Sequence, residues 1–151
     1  MTNAQRKLRV EQLDKKLNSL SSINIPKEGW IKTLRTVLNI SPATLAKRLN
    51  LSVSGLYKLE EREQSQTLTL KNLEQTAQVM DMRLVYGFTP HRGGLEQLIE
   101  EKAQQRALEI IQKTSVNMEL EDQGNSQLRL QKAVKDKTRE LIETQPQELW
   151  N

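Results

Sequence analysis

The chain has no cysteine and a single histidine, His91, among its 151 residues. The first absence excludes a disulfide framework and any thiolate metal site, and it fits a reducing compartment. The second excludes a histidine-based metal site. A nucleophile paired with His91 would have to be assembled in the loop sequence HRGG, with no orienting partner in view. His91 therefore reads as a surface histidine. Gly93 and Gly94 are not followed by the lysine-serine or lysine-threonine pair that a phosphate loop needs. Carboxylate pairs such as Glu100 with Glu101, and Glu119 with Glu121, fall on charged helical surface. No catalytic constellation emerges, so an enzyme is not expected, and neither is a cofactor or a metal.

Aromatic residues make up only 3 % of the chain and charged residues 28 %. The core must then be leucine-based and modest in size, which favours helices. No apolar run approaches the roughly 18 residues that a membrane span needs. The opening residues, MTNAQRKLRVEQLDKKL, lack the uninterrupted apolar segment of a secretory signal. A cytoplasmic protein without a membrane partner is expected. Charge is unevenly spread. Residues 1–35 carry eight Lys and Arg against three Asp and Glu, a net of +5; residues 36–90 carry six against five, +1; residues 91–151 carry nine against eleven, −2. A basic front half suits a phosphate backbone, because each neutralised phosphate releases condensed counterion. The acidic back half needs another partner, or another copy of the chain.

What is present is organised around residues 30–60, WIKTLRTVLNISPATLAKRLNLSVSGLYKLE. Leu45, Ala46, Leu49, Leu51, Leu56 and Leu59 are spaced as two helices crossing at a steep angle require, with the small Ala46 where the backbones approach. Asn50 stands at the sharp turn, and asparagine enters the left-handed region at low cost. Ser41 before Pro42 is an N-cap followed by proline at the first helical position. Ser52 caps the next helix, and Leu51 before it is placed to staple to Leu56. This is the spacing of a helix-turn-helix. The second helix, Val53 to Glu60, leaves Val53, Ser54, Tyr57 and Lys58 facing outward. In such a motif the outward N-terminal part of the second helix enters the major groove. Val53, Ser54 and Tyr57 are then expected at bases, Lys58 at a guanine or a phosphate, and Ser41, Thr44 and Lys47 near phosphates, with Ser52 at the helix start. The same leucine spacing serves packing alone in other bundles; the joint agreement of spacing, two caps and turn residue favours DNA.

Residues 3–20 read as a helix in which Arg6, Lys7, Arg9, Lys15 and Lys16 either lie along the DNA backbone as an arm or form a solvated charged face. Residues 21–29, SSINIPKEG, read as a linker. The first helix of the bundle is expected from about Trp30 to Leu38, with Ile31, Leu34 and Leu38 inward and Trp30 covering the core. After a polar loop, EREQSQT, a helix from Leu70 to about Met80 is capped by Thr69 and turns Leu70, Leu73, Ala77 and Met80 inward. Residues 83–89, RLVYGFT, have the composition of a short β-strand, and one strand alone must pair with a second copy or another chain. A long helix from Leu95 to about Met118 carries Ile99, Ala103, Ala107, Ile110, Ile111, Thr114 and Met118 on one stripe. Residues 122–125, DQGN, are expected to break it. Ser126 can cap a further helix with Leu130, Val134 and Leu141 on its apolar face, and this acidic hairpin either binds a protein or packs back on the core.

The helix-turn-helix residues resemble the Cro-type phage-repressor class. That resemblance implies that Arg35 and Glu60 form a partly buried structural pair. It also implies that Asn50 holds a place usually given to glycine, and that Val53 stands where the class often has glutamine. Valine there limits readout to a thymine methyl or to shape. Over nearly its whole length the chain resembles a narrower family, mobile mystery protein A, on the segments GWIKTLR (29–35), TLTLKNLEQTAQ (67–78), RLVYGF (83–88), MELEDQ (118–123) and the terminal ELW (148–150). The family is similar to a small DNA-binding partner of mobile mystery protein B, which carries a Fic domain, a fold that usually transfers AMP to protein hydroxyls. The resemblance implies a toxin–antitoxin-like operon in which this chain is antitoxin or autorepressor. Many Fic antitoxins block the nucleotide site with a helix reading Ser or Thr, three residues, Glu, then Gly or Asn. Ser115 with Glu119 is followed here by Leu120, Thr144 with Glu148 by Leu149, and Glu28-Gly29 has Asn24 where the hydroxyl belongs, so none matches.

The expectation is thus an all-α chain: a repressor-type helix-turn-helix bundle with a short β-strand and a C-terminal α-helical extension. Its divisions are a basic N-terminal helix and linker (1–28), the DNA-binding domain (29–82), the short strand and loop (83–94) and a dimerisation or partner-binding region (95–151). The expected function is a dimeric, sequence-specific DNA-binding regulator acting on an inverted-repeat operator, with a Fic-domain protein as partner. The alternative is a protein-binding inhibitor of that partner in which the helix-turn-helix is mainly a scaffold.

Overall fold

A computed structural model describes the backbone of residues 1–115 and 123–151, and the side chains of 1–114 and 127–151. The described residues are helical, with no strand among them, and none of their helices is long and apolar enough to cross a membrane. The chain forms two units. One is Ile23–Gly87; the other combines Met1–Ser22 with Phe88–Asn151.

The N-terminal helix α1, Asn3–Ser21, belongs to the second unit. Thr2 caps it with a reciprocal box, its hydroxyl accepting from Gln5 N–H while the Gln5 side chain accepts from Thr2 N–H. The first unit holds α2 (Trp30–Val37), α3 (Pro42–Arg48), α4 (Val53–Gln64) and α5 (Leu70–Val79). Ser41, Ser52 and Thr69 cap α3, α4 and α5, each hydroxyl accepting from the N–H three residues on at 3.0–3.1 Å.

The four helices of this unit end alike. Asn39, Asn50, Gln66 and Asp81 each take φ near +57°, between 56° and 60°. At each site the next N–H reaches back five residues: Ile40 to Arg35, Leu51 to Ala46, Thr67 to Arg62 and Met82 to Ala77, at 2.8–2.9 Å. This Schellman arrangement satisfies carbonyls that the helix end leaves open and reverses the chain in two residues. Four compact reversals in succession fold a short stretch around one core of Ile31, Leu45, Ala46, Leu56 and Met80, with Leu34, Ile40, Leu49, Leu59 and Leu73 packed against it.

Several expectations need correction here. Leu38, Leu51 and Leu70 are 51, 40 and 50 % exposed rather than inward. Each stands at a helix end, where the chain has already turned from the core or not yet turned toward it. Thr76 takes a buried place instead, its hydroxyl donating to the Asn72 carbonyl at 2.8 Å so that no polar hydrogen is stranded. Helix α4 runs on to Gln64, so the first four residues of the expected EREQSQT loop are helical. The strand expected at 83–89 is not present: these residues have no regular structure. Their β-prone side chains find no neighbouring strand within the chain, and β-propensity expresses itself only through such a neighbour.

In the second unit, α6 (Leu95–Ser115) and α7 (Gln123–Thr144) pack along their lengths, with a terminal 3-10 turn at Pro146–Trp150. Ala103, Ala107, Leu141 and Leu149 are buried between them, and Ile99, Ile110, Val134 and Ile142 pack around. Two alanines four apart on α6 let α7 approach closely. Thr138 is buried in the same manner as Thr76, donating to the Val134 carbonyl at 2.7 Å. Helix α7 starts at Gln123, so residues 123–125 are helical and Ser126 is not a cap; a single glycine is tolerated in a helix at modest cost. Met118, Glu119, Glu121 and Asp122 lie outside the described residues. Helix α1 buries none of its residues. It is tied to α6 through Asp14, whose carboxylate accepts from Leu95 N–H at 2.7 Å and from Glu96 N–H at 3.4 Å. The residues read as a separate basic helix thus supply the N-terminal cap of α6.

Candidate nucleic-acid interface

Helix α4 carries the face of interest, and its inner side fixes its orientation. Leu56 is fully buried, and Glu60 one turn on is buried against Arg35 of α2. Arg35 Nε donates to Glu60 Oε1 at 2.6 Å and Nη2 to Oε2 at 3.3 Å, a two-pronged pair that resists rotation. The bond to Glu60 raises the Arg35 guanidinium above its usual range, against the opposing effect of burial. The Arg35–Glu60 pair implied by the phage-repressor resemblance is therefore formed, and both groups are withdrawn from the surface.

A second carboxylate one turn along, Glu63, ties α4 to the start of α2. Its oxygens accept from Trp30 N–H and Ile31 N–H, each at 2.8 Å. Gly29, the residue before α2, has φ +85° and no side chain to offer. A Cβ there would stand 2.9 Å from the Glu63 carboxylate. Glycine is required by the space as well as by the backbone, and Glu63 does what an N-cap side chain would otherwise do.

With Leu56, Leu59, Glu60 and Glu63 turned in, the opposite side of α4 is exposed. Val53, Ser54, Tyr57 and Lys58 all lie on it. Val53 is 40 % and Tyr57 51 % exposed, and Lys58 enters no ion pair or hydrogen bond among the described residues. The hydroxyls of Ser52 and Ser54 lie 3.2 Å apart at the helix start. On α3, Ser41 and Thr44 hydroxyls are 2.7 Å apart, and Lys47 follows on the same exposed side. All eight residues expected at the interface are exposed. The structure links Ser41 with Thr44 and Ser52 with Ser54, and shows no polar contact joining the α3 group to the α4 group.

One neighbour of this face was missed by the sequence reading. Arg62 follows Lys58 at i+4, and the two line a shallow groove of about 340 Å³ with Asn72 and Gln75 of α5, over Leu49 and Leu59. The i, i+4 repeat of cations was the available signal; it was hidden because Arg62 fell in the assumed loop. Arg48, by contrast, is occupied, its guanidinium donating to the Val79 carbonyl at the end of α5 at 3.1 Å. The Ile23–Gly87 unit carries nine Lys and Arg against six Asp and Glu, a net of +3. Two of those six carboxylates, Glu60 and Glu63, are committed internally, which leaves the surface more basic than the count.

The described residues contain no cluster of His, Cys, Asp or Glu able to hold a metal ion. His91 is exposed. No protein-family model, no curated protein and no solved structure matches this chain.

Proposed function

We propose that Ile23–Gly87 is a repressor-type helix-turn-helix that reads duplex DNA, and that the chain is a cytoplasmic, sequence-specific transcriptional regulator. The supporting observation is the outward N-terminal half of α4. Val53, Ser54, Tyr57 and Lys58 are exposed there, on a helix whose inner side is fixed by Leu56 and the Arg35–Glu60 pair. A reading helix needs both properties, since base contacts discriminate only when the helix cannot shift.

In this reading α4 enters the major groove. Val53 meets a thymine methyl, the Ser54 hydroxyl donates to or accepts from a base edge, and Lys58 reaches a guanine or the adjacent phosphate. Ser41, Thr44 and Lys47 on α3 hold the neighbouring backbone. A dimer sets two such helices about 34 Å apart, one DNA turn, on an inverted repeat. The resemblance to mobile mystery protein A extends the proposal to an autorepressor and antitoxin in an operon shared with a Fic-domain protein, with the acidic α6–α7 region available to that partner.

The test is fluorescence anisotropy on a duplex from upstream of the gene. Lys58→Ala weakens specific binding by roughly 1–3 kcal/mol, and Lys47→Ala weakens all duplexes alike while lowering the salt slope by about one. Retention of full affinity by both variants contradicts the reading. Binding to the Fic-domain partner that ignores salt, with DNA affinity no greater than that of any basic protein, would favour the inhibitor instead.

A further inference from the structure

Residues 83–89, Arg-Leu-Val-Tyr-Gly-Phe-Thr, run from one unit into the other without regular structure. Val85, Tyr86 and Phe88 are 62, 68 and 86 % exposed, and Phe88 is the chain's only phenylalanine. Among the described residues no backbone hydrogen bond reaches this stretch. It therefore combines strand-forming side chains, open backbone donors and acceptors, and apolar surface in contact with water.

The geometry points to a second copy of the chain as its occupant: we propose that residues 83–89 pair antiparallel with the same residues of another copy, about a two-fold axis at Tyr86. This register puts Leu84, Tyr86 and Phe88 on one face, since side chains alternate along a strand. Tyrosine then lies across from tyrosine and leucine across from phenylalanine, the aromatic and aliphatic pairings that stabilise a sheet. On the other face Val85 lies across from Gly87. Charge selects the same orientation. A parallel, in-register pair would set Arg83 beside Arg83, whereas the antiparallel pair holds the two arginines roughly 20 Å apart, at 3.4 Å per residue.

An isolated two-stranded ribbon is marginal in water, but this one is held at both ends. Met82 N–H is bonded to the Ala77 carbonyl at 2.9 Å before it, and Leu95 N–H to Asp14 at 2.7 Å after it. Both anchors shorten the chain that must be ordered on pairing. Pro90 cannot donate to a ladder and stops the pairing from running on. The ribbon goes beyond the DNA reading and would supply its second reading helix. Its test contains no DNA, so either idea can fail without the other.

The absence of cysteine makes the register directly measurable in the full chain. Directly opposed residues of an antiparallel pair have Cα atoms about 4.5–5.5 Å apart, within disulfide reach. Tyr86→Cys is expected to cross-link under mild oxidation at least tenfold faster than Lys132→Cys, an exposed control on α7. Leu84→Cys and Phe88→Cys are each slow alone and fast when mixed. Sedimentation should give twice the 17.4 kDa monomer mass for the unmodified chain. The double variant Val85→Pro/Tyr86→Pro removes a ladder N–H whichever alternate set faces the partner, and it should dissociate at least tenfold more readily with its helical circular dichroism intact. A monomer throughout the micromolar range overturns the proposal. So does a dimer that survives the proline pair, or one in which Tyr86→Cys cross-links no faster than Lys132→Cys.

Discussion

Removing the Glu63 carboxylate tests how the candidate reading helix is held. Glu63 accepts two backbone N–H groups at the start of α2, where Gly29 brings no side chain of its own. A hydrogen bond to a charged group contributes about 1.5–3 kcal/mol when its loss leaves the donor dry. Trp30 N–H is exposed, so water replaces that bond at little loss, whereas Ile31 N–H is part-buried. The carboxylate also faces the positive end of the α2 dipole, worth about 0.5 kcal/mol. Glu63→Ala should therefore destabilise the unit by about 2 kcal/mol, lowering the melting temperature by roughly 8–16 °C for a domain of this size class. Glu63→Gln keeps one acceptor and should lose about half. The decisive arm is a double-mutant cycle with Gly29→Ala. The added Cβ collides with the Glu63 carboxylate at 2.9 Å and also pushes an L side chain into φ +85°. In the Glu63→Ala background only the backbone strain remains, so the double variant should be more stable than additivity predicts by about 1 kcal/mol or more. Chemical denaturation followed by circular dichroism supplies all four energies. Additive losses, or a loss below about 0.5 kcal/mol for Glu63→Ala, would refute the capping role.

Three other perturbations separate the contributions of the fold. Arg35→Ala leaves Glu60 charged and unpaired in the interior and should cost about 3–5 kcal/mol, while the double change Arg35→Met/Glu60→Leu should recover most of it in urea melts. The raised Arg35 value places this contribution at full strength below the usual arginine pKa, to be lost only as pH rises through the higher folded value, so it adds no pH dependence to melts between pH 5 and 9. Gln66→Gly relieves a left-handed residue at the end of α4 and should raise stability by about 0.5–1 kcal/mol, read from the shift in denaturation midpoint. Asp14→Ala removes the cap on α6 and should cost about 1 kcal/mol, with amide exchange of Leu95 accelerating first.

The legible parts of this fold were those written within one helical turn. Ser41, Ser52 and Thr69 act on an N–H three residues away, so the caps could be read from spacing, and Asn50 announced its own left-handed turn. Gln66 and Asp81 make the same turn without the residue type that signals it. The caps at α2 and α6 were illegible for a different reason. Glu63 and Asp14 serve helices 32 and 81 residues away, and nothing local marks a charged residue as a distant cap. Thr76 and Thr138 were read as polar because sequence does not tell whether a threonine hydroxyl bonds back to its own helix. The stretch 83–89 shows the converse: its strand character is plain in the residues, but a strand is a property of two segments. The exposed residues on α3 and α4 were all identified in advance, because they are what remains once the leucines of each helix are assigned inward. Arg62 escaped only through a misplaced helix end.

The central claim, that α4 reads DNA sequence, is met most directly by a gel-shift titration. Duplex from upstream of the gene is compared with the same bases scrambled, at two salt concentrations and with competitor DNA. Phosphate contacts weaken steeply with salt on any duplex, whereas base contacts persist only on the right one. The account predicts binding to the upstream duplex that withstands the higher salt and the competitor far better than binding to the scrambled one. Collapse of both complexes together would contradict it.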